Sequence, residues 1–97
     1  MKAILITCNQ AYYDAILSLM DRNAIRGYTF WEEVQGRGSK KGVPHYGTHA
    51  WPTTNSTFLV VTEDEKVAAF MEQLHSLDMK TEEQGLRAFM WNIEQSI

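Results

Sequence analysis

A chain of 97 residues with 44% apolar and 22% charged side chains has the make-up of one folded domain, which excludes a disordered polypeptide and a catalytic domain joined to a separate regulatory one. A net charge of −3 excludes a general electrostatic grip on nucleic acid, which needs surplus Lys and Arg. Cys8 is the only cysteine, so there is no disulfide framework and no CxxC metal or redox motif, while the lack of any apolar run near the ~18 residues that span a bilayer, or of a signal-like opening segment, makes a cytoplasmic location the expectation.

Residues 3–8 are a short branched apolar run ending at polar Asn9-Gln10, which predicts a first strand. Over residues 11–22, Tyr13, Ile16, Leu17 and Met20 recur at i, i+3, i+4, i+7, the stripe of a helix packed on a core. Asn23 and Gly27 punctuate its end. Tyr28-Thr29-Phe30-Trp31 then resumes with aromatic and β-branched residues, predicting a second strand to about Gln35. Residues 36–56 are glycine-rich, hold both prolines (Pro44 and Pro52) and show no period, so a long loop is expected. Residues 57–62 predict a third strand, and Thr62-Glu63-Asp64-Glu65 reads as a capping box opening a second helix. Its stripe is Val67, Phe70, Met71, Leu74 and Leu77, with His75 beside it on the surface. Residues 78–85 read as polar linker and residues 86–93 as a fourth strand.

The order βαββαβ predicts an α+β, ferredoxin-like sandwich: a four-stranded antiparallel sheet with two helices on one face. Strand four alternates Phe89, Trp91 and Ile93 with Leu86, Ala88 and Met90, and strand one alternates Ile4, Ile6 and Cys8 with Ala3 and Leu5. Both faces of the sheet are therefore apolar, and two helices cover only one of them. The second face predicts a homo-oligomer. On the same argument Tyr12, Tyr13, Trp31 and Trp91 are expected in the core or at a subunit interface.

Chemistry concentrates at the start of the long loop. In Gly36-Arg37-Gly38, glycine lets the backbone approach a ligand, and exposed N–H groups with Arg37, Lys40 and Lys41 suit an anion. The same glycines would equally serve a turn. His45 and His49 are imidazoles of the kind that bind zinc or copper, but two ligands fall short of the four of a closed zinc site, so the rest would come from another subunit. Cys8 reads as a small buried apolar residue, since nothing basic adjoins it in sequence.

With this order in place, several stretches resemble the PII signalling (nitrogen regulatory) family. Gly27-Tyr28-Thr29-Phe30, followed by Glu33-Val34-Gln35-Gly36-Arg37-Gly38-Ser39-Lys40-Lys41-Gly42, is similar to that family's second strand and the start of its T-loop. The stretch from Leu59 to Val67 resembles its strand-three to helix-two junction, and Phe89 to Ile97 its final strand ending in V-E-Q-A-I. The resemblance implies a homotrimer with the sheets facing inward and a small effector, usually an adenine nucleotide, held in intersubunit clefts. It assigns effector binding here to Thr29, Gly36, Arg37, Gly38, Ser39 and Lys40. It also implies regulation of a protein target, a transporter or an enzyme, through the loop after strand two.

Three departures modify that expectation. The T-loop is shortened and rewritten around Val43-Pro44-His45-Tyr46-Gly47-Thr48-His49. The family's glycine- and lysine-rich phosphate loop is replaced by Lys80-Thr81-Glu82-Glu83-Gln84-Gly85-Leu86-Arg87, whose two glutamates repel phosphate. The family's C-terminal arginine segment does not follow Ile97. Together these point away from ATP and toward an adenylate with fewer charges or another ligand. The alternative expectation is a trimeric metal-binding protein resembling the divalent-cation-tolerance proteins, with a divalent metal on His45 and His49.

An enzyme is not expected. An acylphosphatase-like hydrolase needs an arginine in a phosphate-cradling loop directly after strand one, where this chain has Cys8-Asn9-Gln10-Ala11-Tyr12. No Ser/His/Asp or Cys/His set can be assembled from the sequence either.

Overall fold

The computed structural model describes residues 1–35, 55–80 and 85–97. Its elements follow the predicted order: β1 (Lys2–Asn9), a 3-10 turn (Gln10–Tyr12), α1 (Tyr13–Arg22), β2 (Tyr28–Val34), β3 (Asn55–Thr62), a second 3-10 turn (Asp64–Lys66), α2 (Val67–Lys80) and β4 (Leu86–Asn92). The four strands form one sheet in the order β2-β3-β1-β4, and every neighbouring pair is antiparallel. This is the ferredoxin-like α+β sandwich expected from the sequence.

Strand alternation decides what each face holds. Ile4, Ile6 and Cys8 of β1 stand level with Val60, Phe58 and Ser56 of β3, and all six are at most 1% exposed. All but Ser56 pack with Ile16, Leu19 and Met20 of α1 and Val67, Phe70 and Leu74 of α2 in a single cluster. Each large side chain so buried contributes about 1.5–3 kcal/mol relative to exposure. Tyr13 joins this core, its ring 4.8 Å from Phe30 and 5.9 Å from Phe58, as its place on the helical stripe predicts.

The ends of α1 are fixed by side chains. The Asn9 side-chain oxygen accepts the Ala11 N–H at 2.9 Å, which orders the turn leading into the helix. At the other end the chain turns through Ala24 at φ 55°, and the Ile25 N–H reaches back to the Met20 carbonyl at 2.8 Å, closing the helix with a left-handed residue. The Asn23 amide donates to the Leu19 carbonyl and to the Gln73 side chain of α2, both at 2.8 Å, so the same residue ties the two helices together.

Several predicted boundaries need correction. The first helix begins as a 3-10 turn that includes Tyr12. β3 starts at Asn55, two residues inside the expected loop, because Asn55 and Ser56 continue the ladder opposite Asn9 and Cys8 despite their polarity. The capping box does not form: the Thr62 hydroxyl donates to the Glu63 carboxylate at 3.1 Å, and Glu63 takes the cap position without a side-chain capping bond to the first turn. Thr62 is still part of β3 and buried, which keeps its oxygen from the helix start. Asp78, Met79 and Lys80, expected as linker, complete α2; none is a helix breaker, and Lys80 suits the negative end of the helix dipole.

Candidate functional site

The sheet face without helices is the largest feature left open. On it, Ala3 stands between Val61 and Trp91, Leu5 between Leu59 and Phe89, and Thr7 between Thr57 and Arg87. β2 adds Thr29 opposite Leu59 and Trp31 opposite Thr57. Trp31, Val61, Phe89 and Trp91 are 37–57% exposed, large apolar side chains of the kind that mark an interaction surface. Trp31 and Trp91, expected in the core or at an interface, are thereby placed outside the core of this subunit.

Thr29 is exposed on this face, beside Leu59 and on the same side of β2 as Trp31. It is the one predicted effector residue within the described structure. Gly36, Arg37, Gly38, Ser39 and Lys40, and the candidate metal ligands His45 and His49, lie outside the described residues. Thr29 lies on β2, whose last residue, Val34, is two positions before Gly36 in the sequence.

At that end of the sheet β2 carries a bulge. Trp31 pairs with Thr57 but Val34 with Asn55, so β2 spends three steps where β3 spends two. The Ser56 hydroxyl donates to the Glu32 carbonyl inside the bulge at 2.8 Å. A second constraint stands at the α2–β4 junction, where Asp78 accepts the Leu86 N–H at 3.2 Å and pairs with Arg87 at 3.3 Å. Arg87 also donates to the Leu86 carbonyl at 2.7 Å. Sequence reasoning missed both. The available signal for Ser56 was a hydroxyl two residues before Phe58 in an alternating strand; Asp78 was hidden by its assignment to a linker.

Cys8, Asp64 and Glu63 titrate away from their ordinary values. Burial pushes the Cys8 thiol up to about 12, and its Sγ donates to the Ser56 carbonyl at 3.8 Å; a thiol held neutral is a poor nucleophile and a poor metal ligand. Asp64 is held below the usual carboxylate range chiefly by the hydrogen bond from the Met1 ammonium, 2.7 Å away. Glu63 is likewise lowered, first by a backbone hydrogen bond and then by Thr62 and Lys66. Among the described residues no three His, Cys, Asp or Glu side chains are placed to share a metal ion, and no helix is long and apolar enough to cross a membrane.

The sequence profile of the nitrogen regulatory protein P-II family matches residues 1–97. A search of curated proteins gives no match. Among solved structures, CPII, a nitrogen regulatory PII-like protein from Thiomonas intermedia K12 bound to ADP, AMP and bicarbonate, superposes with a TM-score of 0.79 at 19% identity, over 95% of this chain and 84% of that one. The apo form of the same protein gives 0.71 at 17% identity, over 95% and 87%. A candidate PII-like signalling protein from Thermus thermophilus gives 0.66 at 16% identity, over 95% and 85%.

Proposed function

The chain belongs to the nitrogen regulatory protein P-II family, and from that premise we propose that it is a non-enzymatic, homotrimeric, cytoplasmic signalling protein that binds an adenine nucleotide between subunits and regulates a partner through the loop after β2. The observation that carries the reading is the uncovered apolar sheet face, Trp31, Leu59, Val61, Phe89 and Trp91, in a chain whose whole length matches that family. A closed ring of subunits buries such a face without leaving a free copy of it.

The effector site takes Thr29 from the open face and Gly36, Arg37, Gly38, Ser39 and Lys40 from the segment that follows β2. Arginine and backbone N–H groups suit phosphate oxygens. ADP and AMP, the nucleotides held by the PII-like protein CPII, carry fewer charges than ATP, which suits a chain with Glu82 and Glu83 in place of a phosphate-binding lysine. Signalling then requires that the nucleotide bind one loop conformation better than the other, because equal affinity shifts no population. The target, a transporter or an enzyme, reads that conformation.

Calorimetric titration with ADP, AMP and ATP, each with and without bicarbonate, tests the reading. Saturable binding of ADP or AMP that Arg37→Ala abolishes is the expected result. Silence with all three nucleotides refutes the effector assignment.

A further inference from the structure

Ser56 occupies a position where the strand pattern asks for an apolar side chain. It shares the helix-facing side of β3 with Phe58 and Val60 and is 1% exposed, as shielded as they are. Its hydroxyl crosses to β2 and donates to the Glu32 carbonyl at 2.8 Å, while the Ser56 carbonyl accepts the Cys8 thiol of β1 at 3.8 Å. Three strands are therefore joined at the end of the sheet from which residues 36–54 depart.

Glu32 lies within the bulge between Trp31 and Val34. A bulge leaves an extra residue outside the regular ladder; Glu32 itself is exposed, but the Ser56 side chain is shielded, and a shielded hydroxyl that loses its acceptor carries a desolvation cost. The competing arrangement is a straight ladder, with Glu32 opposite Ser56 and Glu33 opposite Asn55. In that register every residue after Trp31 moves by one place, about 3.3 Å along the strand, and Glu33 takes the face held by Val34.

We propose that Ser56 is a positioning residue whose hydroxyl pins β2 in the bulged register and so fixes the place of Val34 and Gln35, which precede the residues assigned to the effector. The effector consequence rests on the PII-like reading above, whereas the register consequence does not.

The test uses the full chain as wild type, Ser56→Ala and Ser56→Thr. Cross-strand proton NOEs from Val34 and Glu33 to Asn55 read the register, and calorimetry with ADP reads the effector site. Wild type and Ser56→Thr should show the Val34–Asn55 contact alone. Ser56→Ala should add a Glu33–Asn55 contact and weaken ADP binding by up to about tenfold, the most that losing one hydrogen bond from the bulged register shifts the register equilibrium. Ser56→Ala with the wild-type register overturns the pin, and Ser56→Thr slipping as far as Ser56→Ala shows that side-chain size rather than the hydroxyl sets the register. A slipped register with unchanged ADP affinity overturns the coupling to the effector site. If wild type binds no ADP, the effector reading fails and the NOEs alone decide the role of Ser56.

Discussion

The carboxylate of Asp78 and the guanidinium of Arg87 meet at 3.3 Å, joining the last turn of α2 to the start of β4 across the intervening connection. Asp78 is the better shielded of the two, its side chain 15% exposed against 40% for Arg87, and its second oxygen holds the Leu86 N–H. Removing Asp78 therefore loses more than removing Arg87. Asp78→Ala should lower stability by about 1–2 kcal/mol, the ion pair counting for little because Arg87 is solvated. Arg87→Ala should cost less than about 1 kcal/mol. Urea midpoints of the two variants check the order, and equal losses would contradict it.

Ala24 turns the chain at φ 55°, where a Cβ is crowded by about 1–2 kcal/mol. Ala24→Gly relieves this, offset in part by the greater freedom of glycine in the unfolded chain. The expected net gain is about 0.5–1 kcal/mol, measured as a rise in thermal midpoint; a fall would mean that the left-handed turn at the end of α1 is not maintained in solution.

Asp64 and Glu63 titrate below their ordinary values in the folded chain. The unfolded chain consequently takes up protons first as pH drops through about 4, so stability falls with pH there. The contribution is present in full above the unfolded values and is gone once pH passes below the folded ones. Asp64→Asn should narrow the difference in thermal midpoint between about pH 7 and about pH 3, since it removes the partner of the Met1 ammonium. An unchanged difference counts against the pairing.

Cys8 is fully shielded and its thiol is pushed up to about 12. Ellman's reagent at about pH 8 should leave it unmodified in the folded protein and titrate one thiol per chain after denaturation, because the reacting species is the thiolate. Rapid native reaction would show that the end of β1 opens.

Trp91 and Ala3 are opposite one another on the uncovered face. Trp91→Asp should dissociate the proposed trimer, an unpaired carboxylate being costly in an apolar contact. Light scattering should then fall from three times the 11.2 kDa of one chain to the single-chain mass. A wild-type monomer would remove the argument from the open face.

Much of this architecture was legible in the residues. Ile4, Ile6 and Cys8 against Ala3 and Leu5 announce a sheet with two apolar faces, and the stripes of α1 and α2 announce one pair of helices. Period is a local property, written into adjacent side chains. The composition, the single cysteine and the Gly36-Arg37-Gly38 segment after β2 likewise needed no coordinates to be singled out, nor did the resemblance to the P-II family.

Other features depend on neighbours distant in sequence. That Ser56 belongs to a strand follows from Cys8 lying opposite it, 48 residues away. The bulge follows from how β2 and β3 meet, and the clasp of Asp78 from where β4 returns to the end of α2. Thr62 illustrates the same limit, its short-range capping signal overridden because the residue is still held in β3. Sequence determined which residues are apolar, in what rhythm and in what order of elements. Tertiary structure decided register, the partners of buried polar groups and which tryptophans are left outside the core, because each is fixed by contacts between segments that only the folded sheet brings together.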